Sequence, residues 1–381
     1  MTDLRGKRVL VISRCARTLY IFRRSLIAEA SKAGAEVIAL GAAGDGFEER
    51  LEQSGVRFEH IPVAMRSVDL LADIRLLVCL VRKFRRIRPA VVHSFTVKPA
   101  IFATLAAWLA GVPRRVVTIT GLGHAFTTAG PLVRSAVKML YRVALSRADV
   151  VFFQNRDDKE FFIGQGVVRA AIARMIPGSG VDVDRFAPCP LPCASGSAPR
   201  FLMIARLLRE KGVREYIQAA HFVKTEHPGA TFTLLGGTDP RNPSALPKEE
   251  IAALQTSGEV EWVDEVTEVG PFIAAADVVV LPSYREGLPR TLLEGAAMGR
   301  ALVATDAPGC REIVIHGETG YLVRVGDASS LAQAMARLCE SPHEIAAMGR
   351  RARHLVETCY DQRLVNRACL HSYAPDAGGP S

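Results

Sequence analysis

Two glutamates, Glu286 and Glu294, flank a segment whose residue types favour a negatively charged ligand. The segment, SYREGLPRTLLE, follows the apolar run Val278–Leu281, which is typical of a buried strand in a parallel sheet. A helix is predicted to begin near Pro289, because proline suits a first helical position, where the backbone amides lack helical partners. Such amides attract anions. The pattern therefore predicts a phosphate-binding site with a carboxylate on each side. Such a site suits a ligand that carries hydroxyl groups on both sides of its phosphate.

A basic pair and a glycine pair occur in two segments upstream. Arg206 and Lys211 lie in ARLLREKG, between a predicted strand and a helix. They can converge on one diphosphate, arginine as a planar fork and lysine as a point charge. Gly236 and Gly237 follow another predicted strand and would let the backbone approach a ligand closely.

Each of these patterns also has a structural interpretation. Glu286 would then be a charge at a helix start and Glu294 a solvent-exposed residue. Arg206 and Lys211 would be two solvated cations, and the paired glycines an ordinary turn.

The first half of the chain offers histidines and arginines as candidates. GLGHAF, residues 121–126, fails as a dinucleotide fingerprint because Phe126 replaces the third glycine. We instead predict that His124 lies on the floor of a cleft, opposite Glu286; a core histidine is the alternative, and His93 is a second candidate. Arg14 and Arg17 fall in the predicted first strand-to-helix loop, residues 13–20, where they either read an acceptor phosphate or are solvated.

A metal site is not expected. Asp182-Val183-Asp184 spells Asp-x-Asp but lies in a Gly/Pro-rich linker with no further ligands nearby, which makes a poor Mg²⁺ or Mn²⁺ site. The eight cysteines are scattered, and we expect them to be reduced thiols rather than zinc ligands.

Composition is that of an ordinary globular protein, with 49% hydrophobic and 23% charged residues among 381. No apolar run is long enough to span a bilayer, and the N-terminus enters a strand without the apolar region of a signal peptide. These features predict a cytoplasmic protein.

Charge is distributed unevenly along the chain. Residues 1–190 hold 29 Lys and Arg against 16 Asp and Glu, a net +13, whereas the remainder carries −4. No nucleic-acid motif accompanies this charge, so nucleic acid is not expected as a partner. An anionic membrane surface fits better, with Arg82, Lys83, Arg85, Arg86 and Arg88 as a basic helix end.

Strand and helix signals alternate along the whole chain, which predicts α/β architecture with doubly wound parallel sheets. Glycine and proline crowd between residues 177 and 200, which indicates a domain boundary. We expect one domain over 1–185, a second over 198–358, and ligands bound in a cleft at the carboxyl ends of the strands.

In its order of segments the chain resembles the family-4 retaining glycosyltransferases of the GT-B fold. The resemblance rests on ARLLREKG, Leu235-Gly236-Gly237, the two glutamates in Leu281–Glu294, and Gly309–Val314. Within the family the chain is most similar to bacterial enzymes that extend undecaprenyl-diphosphate-linked sugars. It lacks the paired glycines that many members carry in the first loop.

The resemblance implies two facing Rossmann-like domains and a last helix, about 360–376, that completes the N-terminal acceptor-binding domain. It implies transfer of a hexosyl or N-acetylhexosaminyl group, with retention, from a UDP-sugar to a polyprenyl-diphosphate-linked saccharide at the inner face of the membrane. No metal or cofactor is implied.

The resemblance also implies roles for particular residues. Glu286 contacts the donor sugar, Glu294 binds the ribose, and Arg206 and Lys211 bind the diphosphate. From the residues themselves we add His124, facing the donor sugar opposite Glu286, the donor contacts Gly236, Gly287, Leu288 and Thr291, and the acceptor candidates Arg14 and Arg17. A nucleotide-sugar 2-epimerase of similar fold and a non-catalytic nucleotide-sugar-binding protein are the alternatives.

Overall fold

The computed structural model describes residues 2–63, 69–122, 130–195, 197–240, 242–247, 249–252 and 258–374. The chain divides into two compact units. Unit 1 comprises Met1–Ser179 and Arg363–Ser381, and unit 2 comprises Gly180–Gln362. Both units are α/β with parallel sheets, as the alternation of strand and helix signals predicts.

Unit 1 contains a sheet of seven parallel strands among its described residues, in the order β3-β2-β1-β4-β5-β6-β7. The order reverses between β1 and β4, and this switch point is where ligands bind in doubly wound folds. The strands are β1 (Arg8–Cys15), β2 (Glu36–Ala42), β3 (Arg57–His60), β4 (Val91–Phe95), β5 (Arg114–Ile119), β6 (Val150–Phe153) and β7 (Ala173–Met175).

Helices cover both faces of this sheet, which explains why both faces of its central strands carry buried apolar residues. The helices are α1 (Ala16–Lys32), α2 (Glu48–Gln53), α3 (Leu70–Ile87), α4 (Val97–Leu109), α5 (Pro131–Leu145) and α6 (Arg156–Gly164). On one face α4 packs between α3 and α5, and on the other α1 packs against β1 and β2.

The prediction of a loop between the first strand and the first helix is wrong. β1 runs to Cys15, and α1 begins at the next residue. Thr18 makes this abrupt start possible, because its hydroxyl donates to the Cys15 carbonyl at 2.8 Å and bonds to the Ser13 hydroxyl at 2.8 Å. Arg14 is therefore a strand residue and Arg17 lies in the first helical turn.

Unit 2 contains a second parallel sheet, with six strands among its described residues in the order β10-β9-β8-β11-β12-β13. Its strands are β8 (Arg200–Ile204), β9 (Thr231–Leu235), β10 (Glu261–Val263), β11 (Val278–Leu281), β12 (Ala301–Thr305) and β13 (Gly320–Val323). Its helices are α7 (Val213–Glu226), α8 (Gly270–Ala274), α9 (Arg290–Ala297), α10 (Ala328–Glu340) and α11 (Pro342–Leu355).

The C-terminal helix, α12 (Gln362–His371), packs on unit 1. The Asn366 amide donates to the Ser25 hydroxyl at 2.7 Å, and Arg114 donates to the Ser372 carbonyl at 2.7 Å. Among the helices of the described ranges, none combines the length and the apolar content needed to cross a bilayer.

His93 joins this C-terminal segment to the core of unit 1. It is fully buried in β4, with Nδ1 2.9 Å from the Tyr373 hydroxyl and Nε2 2.8 Å from the Thr118 hydroxyl. Burial lowers the pKa of His93 well below its ordinary value, and the charge of Arg23 adds to the shift. With both ring nitrogens engaged, His93 is a core residue rather than a ligand contact.

Replacing Tyr373 by Phe should destabilise unit 1. The change leaves His93 Nδ1 without its partner in a buried site, which costs about 1–3 kcal/mol. Tyr20→Phe is the matched control, because Tyr20 is only partly buried and packs its ring on Phe47. Urea unfolding followed by circular dichroism measures both variants, and equal midpoints would show that the His93 contact contributes nothing.

Candidate active site

Three loops of unit 2 meet at one edge of its sheet. β9, β8 and β11 are neighbours in that order and parallel, so the loops that follow them emerge side by side at their carboxyl ends. The loop after β8 carries Arg206 and Lys211, the loop after β9 begins with Gly236, and the loop after β11 carries Glu286. This arrangement brings together residues that are far apart in sequence, at the edge where parallel sheets bind ligands.

The loop after β8 is held against the loop after β11 by close backbone contact. Gly212 has φ +74°, and a Cβ at this position would lie 2.1 Å from the Pro282 carbonyl oxygen. The Tyr284 amide donates to the Glu210 carbonyl at 2.9 Å. Only glycine fits at position 212, and this close contact fixes the backbone position of the preceding residue, Lys211.

Lys211 and Glu286 form an ion pair between these two loops. Nζ of Lys211 lies 2.5 Å from Oε1 of Glu286, with the side chains 20% and 15% exposed. Glu286 is itself supported from the loop after β12, because its amide donates to the Pro308 carbonyl at 3.0 Å. A Cβ on Gly309 would lie 2.7 Å from the Glu286 carbonyl oxygen, so glycine is required there too. A ligand phosphate would compete with Glu286 for the lysine.

Arg206 reaches the loop after β9 in the same way. Its Nη1 lies 3.4 Å from Oδ2 of Asp239, and the arginine side chain is 54% exposed. The two loops touch at Gly236, where a Cβ would lie 1.8 Å from the Ala205 carbonyl oxygen. Sequence analysis identified the arginine but missed Asp239, since nothing in the local pattern connects residues 33 positions apart.

Helix α9 begins at Arg290, with Pro289 as its N-cap residue at φ −75° and ψ 115°. The predicted helix start is therefore correct to one residue, although proline stands just outside the helix rather than at its first position. The Thr291 hydroxyl donates to the Ile204 carbonyl at 3.2 Å and so ties the first turn to the end of β8. Gly287 and Leu288, both partly buried, form the turn that leads in.

Glu294 is buried in this helix, which contradicts the interpretation that it is solvated. Its Oε1 accepts from Nη2 of Arg290 at 2.6 Å, one helical turn away. Burial raises the pKa of the Glu294 carboxyl, and the charge and hydrogen bond of Arg290 oppose that rise. Arg185 and Glu268 are further charges that act on this carboxyl, in opposite directions. The pair makes Arg290 a site residue that sequence analysis missed, although the i,i+4 spacing could have indicated it.

The remaining candidates lie elsewhere. Arg14 and Arg17 are exposed at the carboxyl end of β1, next to the switch point of the unit 1 sheet. His124 lies outside the described residues. Asp182, of the Asp-x-Asp sequence, accepts from the backbone amides of Asp184 and Arg185 at 3.2 and 3.0 Å, which is a local turn.

Comparison with known families identifies both halves of the chain. Residues 198–341 match the family described as glycosyl transferases group 1, and residues 21–179 match the glycosyl transferase 4-like domain. The chain is a glycosyltransferase of these families. The sequence-based family prediction is therefore confirmed.

Two bacterial relatives of this glycosyltransferase carry a diphosphoundecaprenol-linked sugar in their names. One is N,N'-diacetylbacillosaminyl-diphospho-undecaprenol alpha-1,3-N-acetylgalactosaminyltransferase from Campylobacter jejuni, 27% identical over 87% of this chain and 89% of the relative. Another is UDP-Gal:alpha-D-GlcNAc-diphosphoundecaprenol alpha-1,3-galactosyltransferase from Escherichia coli, 25% identical over 75% of each chain.

Solved structures confirm the predicted GT-B fold of the glycosyltransferase. Sucrose-phosphate synthase from Thermosynechococcus elongatus superimposes with a TM-score of 0.79 at 20% identity, covering 96% of this chain and 98% of that one. HepE from Anabaena, in complex with UDP and glucose, gives a TM-score of 0.73 at 21% identity, covering 96% and 99%.

The Lys211–Glu286 pair leads to opposite expectations for its two members. Lys211→Met should weaken binding of a nucleoside diphosphate by about 1.5–3 kcal/mol, because a charge-assisted contact is lost, and Arg206→Ala should act in the same direction. Glu286→Gln should leave diphosphate binding unchanged or tighter, because it removes the competitor for the lysine. Calorimetry with UDP as the probe measures all three variants.

Lys224→Met is the matched control for the lysine, since Lys224 is a partly exposed residue of α7 that bonds to the Gly258 carbonyl. If Lys211→Met binds UDP as the wild type does, or if Glu286→Gln abolishes binding, the diphosphate does not lie at this pair.

Removing Arg290 should make nucleotide binding more sensitive to acid. Without the guanidinium that opposes the effect of burial, the pKa of Glu294 rises further and the carboxylate takes up a proton at a higher pH. As the pH is lowered from neutrality, the affinity of Arg290→Met for UDP should therefore begin to fall at a higher pH than that of the wild type. Arg337→Met, which removes a mostly exposed partner of Glu344, is the control. Parallel pH profiles for Arg290→Met and wild type would contradict the coupling.

Proposed function

We propose that the protein transfers a hexosyl or N-acetylhexosaminyl group, with retention of configuration, from a UDP-sugar to a polyprenyl-diphosphate-linked saccharide. One observation carries the proposal. The loops after β8 and β11, together with helix α9, carry two cations and two carboxylates, Arg206, Lys211, Glu286 and Glu294, at the carboxyl edge of one sheet. The names of the two bacterial relatives support the acceptor class, and one of them supports a UDP-linked donor.

Unit 2 would bind the donor. Arg206 and Lys211, with the first amides of α9, would bind the diphosphate, and Glu294 would accept hydrogen bonds from the ribose hydroxyls. Gly236 would let the backbone approach the nucleotide, and it is also required for the contact between the two loops, where a Cβ would meet the Ala205 carbonyl. Glu286 would face the sugar once the diphosphate has taken over Lys211. Unit 1 would bind the acceptor, with Arg14 and Arg17 near its phosphates.

The reaction breaks the bond between the anomeric carbon and the β-phosphate oxygen, and the electron pair stays on that oxygen. The acceptor hydroxyl forms its new bond on the same face of the sugar. Its proton passes to the departing phosphate, so no separate base is needed. Arg206, Lys211 and the helix start stabilise the charge that develops on the leaving group, each by a few kcal/mol at most. This arrangement supplies the positive charge without a metal or a cofactor.

The direct test is a transfer assay. The protein is incubated with a panel of UDP-sugars, with and without a polyprenyl-diphosphate-linked acceptor, and UDP release and the anomeric configuration of the product are measured. We expect release that depends on the acceptor and a retained configuration. A sugar that changes configuration at C2 without acceptor would show an epimerase instead. Tight binding without turnover on any acceptor would show a non-catalytic binding protein.

Substitutions of the two glutamates should have different effects in this assay. Glu286→Gln should lower turnover at saturating donor, on the order of 100-fold, because it faces the carbon at which charge develops. Glu294→Gln should mainly weaken binding of UDP and of the UDP-sugar alike, because the ribose contact is equal in ground and transition states. The assignment is wrong if Glu286→Gln leaves saturated turnover unchanged.

A further inference from the structure

Helix α5 carries a second apolar stripe that points away from the core. Its buried residues, Tyr141, Ala144 and Leu145, all lie in its C-terminal half. Leu132, Ala136, Met139 and Val143 recur at helical spacing on the opposite side, where Leu132 is 86% and Met139 57% exposed. Within the described segment 131–140 no residue is buried. An amphipathic helix of a globular protein has one apolar face, so the outward stripe requires its own explanation.

Helix α3 repeats this feature on the same side of the sheet. Leu70, Leu71, Ile74 and Val78 are 74%, 67%, 47% and 41% exposed, whereas the other side of α3 packs Leu76, Leu80, Phe84 and Ile87 into the core. Since α4 packs between α3 and α5, both exposed stripes belong to one face of unit 1. We call this face the outward apolar surface, defined by the four exposed α3 residues together with Leu132, Met139, Leu140 and Val143.

The charge on these two helices is almost entirely positive. Together they hold eight Lys and Arg against one acidic residue, Asp73, which is paired with Lys98 at 2.6 Å. On α5 the basic residues Arg134, Lys138 and Arg142 recur every four positions along one side of the helix, and Lys138 and Arg142 also donate to the Gln165 side chain and the Gly166 carbonyl. Exposed aliphatic side chains on helices of net positive charge match a surface with anionic headgroups and an apolar interior.

The ends of the helices orient this surface. The C-terminal end of α3 lies at the amino edge of the sheet, because Arg8 at the start of β1 donates to the Ile87 carbonyl at 2.6 Å. An 18-residue helix is about 27 Å long, so its first turn, with Leu70 and Leu71, reaches the carboxyl edge. Leu70 and Leu71, the most exposed leucines of α3, therefore lie at the edge that carries Arg14 and Arg17.

This orientation changes the role of the basic helix end singled out by sequence analysis. Arg82, Lys83, Arg85, Arg86 and Arg88 lie toward the amino edge. Lys83 and Arg86 pair with Glu59 at 2.5 and 2.7 Å. The stretch of the face richest in exposed aliphatic side chains is the first half of α3 and the length of α5.

We propose that the outward apolar surface inserts into the headgroup region of an anionic bilayer. Its aliphatic side chains enter the boundary of the acyl region, and the arginines and lysines contact anionic headgroups. This proposal rests on the proposed function in one respect: a polyprenyl-linked acceptor would then meet the carboxyl edge of the unit 1 sheet at headgroup depth.

Vesicle flotation of the full chain, without donor or acceptor, tests the surface. Wild-type protein should bind vesicles that contain phosphatidylglycerol more tightly than neutral phosphatidylcholine vesicles, and high salt should weaken that binding. The pair Leu132→Glu with Met139→Glu should lower the vesicle partition coefficient at least tenfold. Arg75→Gln with Arg134→Gln should reduce the difference between anionic and neutral vesicles.

The matched control is Phe222→Glu with Ile315→Glu, because both side chains are exposed apolar residues of unit 2, 44% and 39% exposed. Circular dichroism melts establish that each variant is folded. Equal partition of the Leu132/Met139 variant and the wild type would overturn the proposal. So would a dimeric wild type that this pair makes monomeric while vesicle binding persists, since the surface would then bind a second copy.

The two proposals fail in different ways. The Leu132/Met139 variant should keep wild-type transfer to a short-chain, water-soluble acceptor and lose transfer to an acceptor embedded in vesicles. If no acceptor of either kind is glycosylated by the wild type, the proposed function is wrong, whereas vesicle binding and its dependence on Leu132 and Met139 still decide the surface.

Discussion

The ion pair between Lys211 and Glu286 depends on a constraint that runs through unit 2. Side chains of two loops can form an ion pair at 2.5 Å only if the loop backbones are held close together. The close backbone contacts of Gly212 with Pro282 and of Gly309 with Glu286 hold them there. Each contact excludes a Cβ. Backbone contacts between the loops therefore hold a lysine, an arginine and a carboxylate at one sheet edge, which lowers the ordering cost of binding an anion there.

Buried charge sets a second condition on the site. Glu294 is buried, with 10% of its side chain exposed, and burial without a compensating charge favours the protonated form of a carboxylate. Arg290, in the same helix, compensates the charge of Glu294. It donates to one carboxylate oxygen, Oε1, so the other oxygen can accept from another donor. Two cations of the site therefore have different partners. Arg290 pairs with Glu294, which remains its partner in our proposal, and Lys211 pairs with Glu286, which a ligand phosphate would displace.

Sequence analysis identified the strands and helices well where burial dictates composition. Val278–Leu281 is buried on both faces and wholly apolar, and its predicted bounds match β11. The start of α1 was predicted wrongly because the polar residues Arg14 and Arg17 suggested a loop. The hydroxyl contacts of Thr18, which allow the abrupt turn without a glycine, give no signal in the sequence. Strand β3, with the sequence RFEH, was not predicted because its burial is partial.

The candidate site was predictable in its residues but not in its pairings. Arg206, Lys211, Glu286 and Glu294 follow strands or open helices, and parallel sheets bring such positions together. Their partners do not follow from spacing, because 75 residues separate Lys211 from Glu286. The Arg290 pair is the exception, since it is local. Likewise the outward apolar surface was missed because a leucine that faces solvent and one that faces the core look the same in a helical pattern.

A donor diphosphate should take the place of Glu286 at Lys211. A crystal structure of the wild-type protein with UDP tests it most directly. The account predicts that a β-phosphate oxygen accepts from Lys211 Nζ and from the Arg206 guanidinium, with Glu286 turned away from the lysine toward the position of the sugar. A diphosphate bound elsewhere, with the Lys211–Glu286 pair intact and neither cation in contact with phosphate, would contradict it.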